Sequence, residues 1–172
     1  MVAPAAPAHR RASSLALYAT CGDLVVAFAI VDVVRVHLAE TVTARPRAAG
    51  SALSLVQADD ERLAGWDLGS LLGQRRPTSA STWIVLAHGP RRRFAVACDR
   101  SLAVRPLRVE LPLAATMFGS RVGAVQGAFT TAALGSELEL APTGLLLSAA
   151  RLLAAEELQA ATAAAAEGLL SW

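Results

Sequence analysis

Gly22-Asp23-Leu24-Val25-Val26-Ala27-Phe28-Ala29-Ile30-Val31-Asp32-Val33-Val34-Arg35-Val36 holds the clearest structural signal in the chain. Gly and Asp tolerate the positive φ that tight hairpin turns require, so Cys21-Gly22-Asp23 reads as a turn. Before it, Leu15, Leu17 and Ala19 alternate with Ala16, Tyr18 and Thr20, the period of a strand. After it, Leu24 to Ile30 is β-branched and aromatic and reads as the partner strand. Val31 to Val36 continues apolar but is broken by Asp32 and Arg35, which suits either a strand or a short helical turn.

Further short runs follow. Ala52 to Val56 reads as a strand leading to the acidic turn Asp59-Asp60-Glu61. In Trp66-Asp67-Leu68-Gly69, Asp67 is placed to cap a short helix over Leu71 and Leu72. Gln74 to Ser81 has the composition of a linker. A second hairpin is expected from Trp83–Ala87, the turn Gly89-Pro90, and Phe94–Cys98. Short β-like runs lie near 103–109 and 122–129, and Leu138 and Leu140 alternate with Glu137 and Glu139. From Gly144 the pattern turns helical and alanine-rich, with Gly168 as its stop. Many short strands in two clusters argue for two small β-barrels or sandwiches with a C-terminal helix.

Composition narrows the function. With 172 residues, over half of them apolar, the chain is long enough to bury a core. No apolar run reaches the roughly 20 residues of a bilayer-spanning helix, and the basic N-terminus lacks the apolar segment of a signal peptide. A cytoplasmic protein without direct membrane insertion is expected. All sixteen basic residues are arginine and the net charge is only +2, too little to capture a polyanion. Arg91-Arg92-Arg93 follows a turn and lacks an aromatic ladder, so no nucleic-acid partner is expected.

Catalytic and metal chemistry is sparse. Cys21 and Cys98 lack CxxC spacing and read as buried thiols, while His9, His37 and His88 are isolated. The Gly119–Gly127 run has no Gly-Lys-Ser/Thr ending, and no Gly-x-Ser-x-Gly elbow occurs. Asp59, Asp60 and Glu61 read as a solvated turn, and Glu156-Glu157 as surface charges. No enzyme activity, no cofactor and no metal site is expected.

The order of these motifs resembles the CheW-like domains of bacterial chemotaxis coupling proteins. The Gly22–Val36 stretch is similar to that family's opening hairpin and its Ile-x-x-Val-x-Glu-Ile motif. Trp66-Asp67-Leu68-Gly69-Ser70-Leu71-Leu72-Gly73 resembles the Val-Asp-Leu-x-x-Leu-Leu-Gly that ends the family's first barrel. Trp83–Leu86 and Phe94–Asp99 resemble its second-barrel hairpin, and 122–129 with 138–153 its Leu-x-Gly segment, closing strand and helix.

The resemblance implies a mainly β fold of two SH3-like five-stranded β-barrel subdomains with a C-terminal α-helix. Its expected layout is an arm at 1–12 and one domain at 13–158. That domain comprises a first barrel at 13–73, a linker at 74–81, a second barrel at 82–141 and a closing helix from about 144. An alanine-rich helical tail follows at 159–172. It also implies a non-catalytic adaptor joining the cytoplasmic tip of a methyl-accepting chemoreceptor to the regulatory domain of a CheA-type histidine kinase. Val31, Val33, Arg35, Val36 and Asp59 are then expected at the receptor groove, with the kinase-binding residues unassigned.

The chain departs from the family where Asn-Leu-Arg-Gly is replaced by Gln57-Ala58-Asp59-Asp60, and where the motif Glu is replaced by Arg35. Both signs are reversed, so a charge-swapped Arg35–Asp59 ion pair is expected. A regulator that binds receptor or kinase alone, and a β-barrel that binds a small ligand, are the competing readings.

Overall fold

The computed structural model describes residues 15–74, 79–109, 123–135 and 142–172. The expected N-terminal arm, half of the expected linker (75–78), and the Leu138/Leu140 strand lie outside these residues.

Eleven strands are described: β1 Leu15–Cys21, β2 Leu24–Ala29, β3 Val33–Leu38, β4 Val42–Pro46, β5 Ser54–Ala58, β6 Glu61–Asp67, β7 Thr82–His88, β8 Arg92–Cys98, β9 Arg100–Pro106, β10 Val125–Thr130 and β11 Thr143–Leu147. Three helices join them: α1 Leu68–Leu71, α2 Ala149–Leu152 and α3 Ala155–Ala166. The strands form a five-stranded sheet, ordered β10-β11-β2-β1-β9, and a six-stranded sheet, ordered β3-β7-β8-β6-β5-β4.

Both expected turns form around their glycines, with φ of 57° at Gly22 and 75° at Gly89. The Asp67 cap also forms, its carboxylate accepting from the Ser70 amide at 2.7 Å. The ambiguity at Val31–Val36 resolves as both options: a 3-10 turn at Ile30–Asp32, then β3.

The sheets do not divide at 74–81 as the barrel boundaries require. β6, before that segment, pairs in parallel with β8 after it. The N-terminal hairpin β1–β2 instead joins β9, β10 and β11 from the second half. Nor is Gln74 a passive linker residue: its Nε2 donates to the Cys21 carbonyl at 3.0 Å. Asp99 anchors the same corner, accepting from the Gly22 amide at 2.6 Å and the Ser79 amide at 2.5 Å.

The larger sheet must curl. β3 and β4 stand at its opposite edges, yet only Ala39–Thr41 separates them. A flat sheet of six strands would hold its edge strands about 24 Å apart. The connection from Leu38 to Val42 reaches at most about 14 Å. Ala39 and Val42 pack onto the inner cluster of Val56, Leu63, Trp83, Val85, Ala95 and Ala97. The smaller sheet has its own cluster, including Tyr18, Val25, Phe129 and Leu134. A third and larger cluster lies between the sheets.

That arrangement explains why strands here are apolar on both faces. Along β8, Ala95 and Ala97 face the inner cluster, while Phe94, Val96 and Cys98 face the layer between the sheets. β7 and β2 divide in the same way.

The C-terminal region corrects two expectations. Thr143–Leu147 is not the start of the closing helix; as β11 it lies between β10 and β2. Its Gly144 sits opposite Phe129, whose ring occupies the space of a Cβ. The alanine-rich helix packs its small side chains on the body, with Ala161 and Ala164 of α3 buried between the sheets. Glu157, by contrast, is not a free surface charge. It is buried and accepts from the Ala154 amide at 2.8 Å, closing the first turn of α3.

Two measurements test this packing. At Gly65 an added Cβ would overlap the Val56 side chain and approach Trp83 Cζ3 at 2.9 Å. Gly65→Ala is therefore expected to lower stability by about 1–3 kcal/mol in urea titration, and Gly65→Ala with Val56→Ala to lose less than the sum of the two changes.

The second test concerns Cys21 and Cys98, both buried as expected. Burial, with the charges of Asp67, Asp99 and Cys98, pushes the Cys21 thiol up to about 12; burial and Asp99 do the same to Cys98. From the ordinary value of 9.0 up to about 12, the unfolded chain gives up thiol protons that the folded chain keeps. Stability should thus be unaffected by these groups below that window and fall as pH rises through it. The variant Cys21→Ala/Cys98→Ala should show a flatter stability profile over the same range.

Candidate protein-binding surface

β3 lies at an edge of the larger sheet and carries large apolar side chains in solvent. Val31, on the turn before it, is 85% exposed, and Leu38 at its end is 56% exposed; Val34 and Val36 are also open. An edge strand of this kind is ordinarily protected by charge or covered by a partner.

The five residues expected at one groove do not share one face. The register of β3 against β7 shifts between Val33 and Arg35, a bulge at Val34. Val33 pairs with Leu86, Val36 with Ile84 and Leu38 with Thr82. These three therefore lie on the sheet face that carries Ile84 and Leu86 into the layer between the sheets. Val33 packs against that layer, and Val36 and Leu38 extend it into solvent. Arg35 pairs with Val85 and so belongs to the opposite face.

There Arg35 meets Asp59 in the expected ion pair. Asp59 occupies the β5–β6 turn with φ of 50°, next to Ala58, whose strand partner is Val42 of β4. The pair thus bridges from edge strand β3 to the β5–β6 turn beside β4, across the seam where the sheet curls on itself. Leu38 and Val34 are exposed here without being among the residues expected at the groove. The alternation Val36-His37-Leu38 signals Leu38, while the exposure of Val34 follows from a bulge that no local pattern announces.

A second surface lies on the outer face of β4–β6 in the same sheet. A cleft of about 660 Å³ is lined by Thr43, Arg45, Arg47, Leu55, Arg62 and Leu169 among others. One wall is the strands β4–β6. The other is the C-terminal tail, fixed by the Ser171 amide donating to the Arg62 carbonyl at 2.8 Å. Trp172 stacks on His88 with ring centroids 6.3 Å apart and lies under the Arg92 guanidinium at 5.6 Å. No described carboxylate lines the cleft. Among the described residues, no group of three His, Cys, Asp or Glu is placed to hold a metal, and no helix is long and apolar enough to cross a membrane.

The architecture matches that of a solved scaffolding protein, TtCheW from Thermoanaerobacter tengcongensis. The match has a TM-score of 0.60 and covers 80% of this chain and 90% of that one, at 15% identity. The fold is CheW-like. It is mainly β, with two sheets and a C-terminal helix, and its second sheet has six strands where five were expected. No protein-family model and no curated protein matches the sequence.

Both members of the Arg35–Asp59 pair are more than half exposed, at 56% and 58% of their side-chain surface. A double-mutant cycle with Arg35→Ala and Asp59→Ala should give a coupling of about 0–1 kcal/mol in folding stability that shrinks with added salt. A coupling well above that range would mean the pair holds the seam closed.

Proposed function

We propose that the chain is a non-catalytic adaptor of a chemosensory pathway, coupling the cytoplasmic tip of a chemoreceptor to the regulatory domain of a CheA-type histidine kinase. The observation that carries this reading is the exposed apolar strip of Val36 and Leu38, set on a CheW-like scaffold and continuous with the layer between its sheets. Burying such a strip against a partner supplies affinity without any reaction.

In this proposal Val31, Val33, Val36 and Leu38 form the apolar contact with the receptor. Arg35, on the other face of β3, and its partner Asp59, on the β5–β6 turn, border it and select the partner by charge. Electrostatic matching at a rim contributes to specificity and encounter more than to affinity. Recruitment to receptor arrays would follow from that contact.

The test is capture of receptor tips and kinase regulatory domains from the protein's own genome by the purified chain. Both should be retained. Leu38→Asp should weaken receptor capture about tenfold or more while circular dichroism and the melting temperature stay unchanged. Exchanging the charges in Arg35→Glu/Asp59→Arg should restore receptor binding lost in either single reversal. Capture of one partner type alone would make the protein a dedicated regulator of that partner. Capture of neither would sink the adaptor reading.

A further inference from the structure

We infer that the cleft between β4–β6 and the C-terminal tail is a second docking site, which takes an acidic segment of a partner protein with an aliphatic side chain between its carboxylates. The inference stands independently of the adaptor reading, because it uses neither β3 nor the Arg35–Asp59 pair.

Strand register places the charges. Thr43, Gln57 and Arg62 stand in one row across β4, β5 and β6; Arg45, Leu55 and Ala64 stand in the next row on the same face. Ala64 belongs to the layer between the sheets, so this face is the outer one, not the one turned to the sheet's own cluster. Arg45 and Arg62 are two strands and one row apart, a separation on the order of 10 Å between their backbones.

The cations of this region are not equivalent. Arg47 is already committed to Glu167 of the tail, and Arg92 lies over Trp172. Both contacts bind the tail down and so form the cleft wall. Among the described residues Arg45 and Arg62 have no carboxylate within ion-pair distance, and both are exposed. Between them Leu55 and Leu169 are partly buried and offer aliphatic surface.

Guanidinium groups bind carboxylates through paired N–H donors, and the strength of that bond grows as a partner excludes water. Two unneutralised arginines flanking an aliphatic floor thus match two acidic side chains flanking a Leu, Ile or Val. A nucleic-acid strand fits less well. Its bases need aromatic platforms, and the described lining has none.

Selection of a random 12-residue peptide library on the intact protein tests the assignment while the natural partner is still unidentified. Enriched peptides should carry two or more Asp or Glu with an aliphatic residue between them. Fluorescently labelled copies of the winners should bind Arg45→Gln/Arg62→Gln at least tenfold more weakly. The melting temperature of that variant should match the parent, since both side chains are exposed. Leu38→Asp should leave peptide binding unchanged, which separates this site from the β3 strip.

The inference is overturned if no acidic peptides are enriched, or if those enriched bind the double-arginine variant equally well. It is also overturned if Leu38→Asp abolishes their binding, or if a twelve-nucleotide oligo-dT binds the cleft more tightly than any of them.

Discussion

Phe28 from the smaller sheet, with Trp66, Ile84 and Phe94 from the larger, meets Leu147, Leu152 and Ala161 in one apolar layer. Every other feature of the molecule is arranged around that layer. It obliges the central strands to be apolar on both faces, because each sheet must also fill its own interior. Those interiors in turn require small residues where rings and side chains come close, as at Gly65 against Val56 and Trp83 and at Gly144 against Phe129. The layer recruits the C-terminal helix through Ala161 and Ala164, whose small side chains let α3 approach the sheets. Burial of this kind is the main favourable term in folding and scales with area. A layer assembled from both halves of the chain therefore makes the two sheets a single cooperative body.

The same layer explains what the sequence discloses and what it hides. Hairpins are local, and the glycines of their turns advertise them, so Gly22 and Gly89 are legible before any tertiary contact is considered. The Asp67 cap is legible for the same reason. Parallel pairings are not local. Nothing in Glu61–Asp67 announces that it will lie beside Arg92–Cys98, with a whole strand passing between them in sequence. The linker-like composition of Gln74–Ser81 therefore suggests a boundary. In the fold Gln74 and Ser79 are tied to the Cys21 carbonyl and to Asp99. The segment Thr143–Leu147 is hidden differently. A strand that packs apolar side chains on both faces loses its alternation, and this one runs directly into alanine-rich helix.

At the candidate surface, charge is more legible than orientation. Reversed signs at Arg35 and Asp59 suggest an ion pair, and the fold brings the two together across 24 positions of sequence. The arginines of the cleft are not legible as a set. Arg45, Arg47 and Arg62 are scattered through a chain whose sixteen basic residues are all arginine, and only the pairing of β4, β5 and β6 brings them to one cleft. The tail that walls the cleft reads in sequence as no more than alanine-rich helix. Its significance rests on Leu169 and Trp172, which lie beyond the helical stop at Gly168.

The bulge at Val34 connects these observations. In an unbroken strand Val33, Arg35 and His37 would alternate onto one face, with Val34, Val36 and Leu38 on the other. Arg35 would then sit in the same row as Val33, against the layer between the sheets, and its charge would need to be solvated or paired there. One extra residue changes that assignment. Val33, Val36 and Leu38 come to share a face free of charge, and Arg35 is re-aimed toward Asp59 at the seam. An exposed ion pair contributes little to stability, so holding the sheet closed is not a sufficient reason for it. What the pair and the bulge achieve together is separation. The apolar strip remains continuous with the layer beneath it, while the charge that would interrupt it is held on the opposite side by a partner of its own.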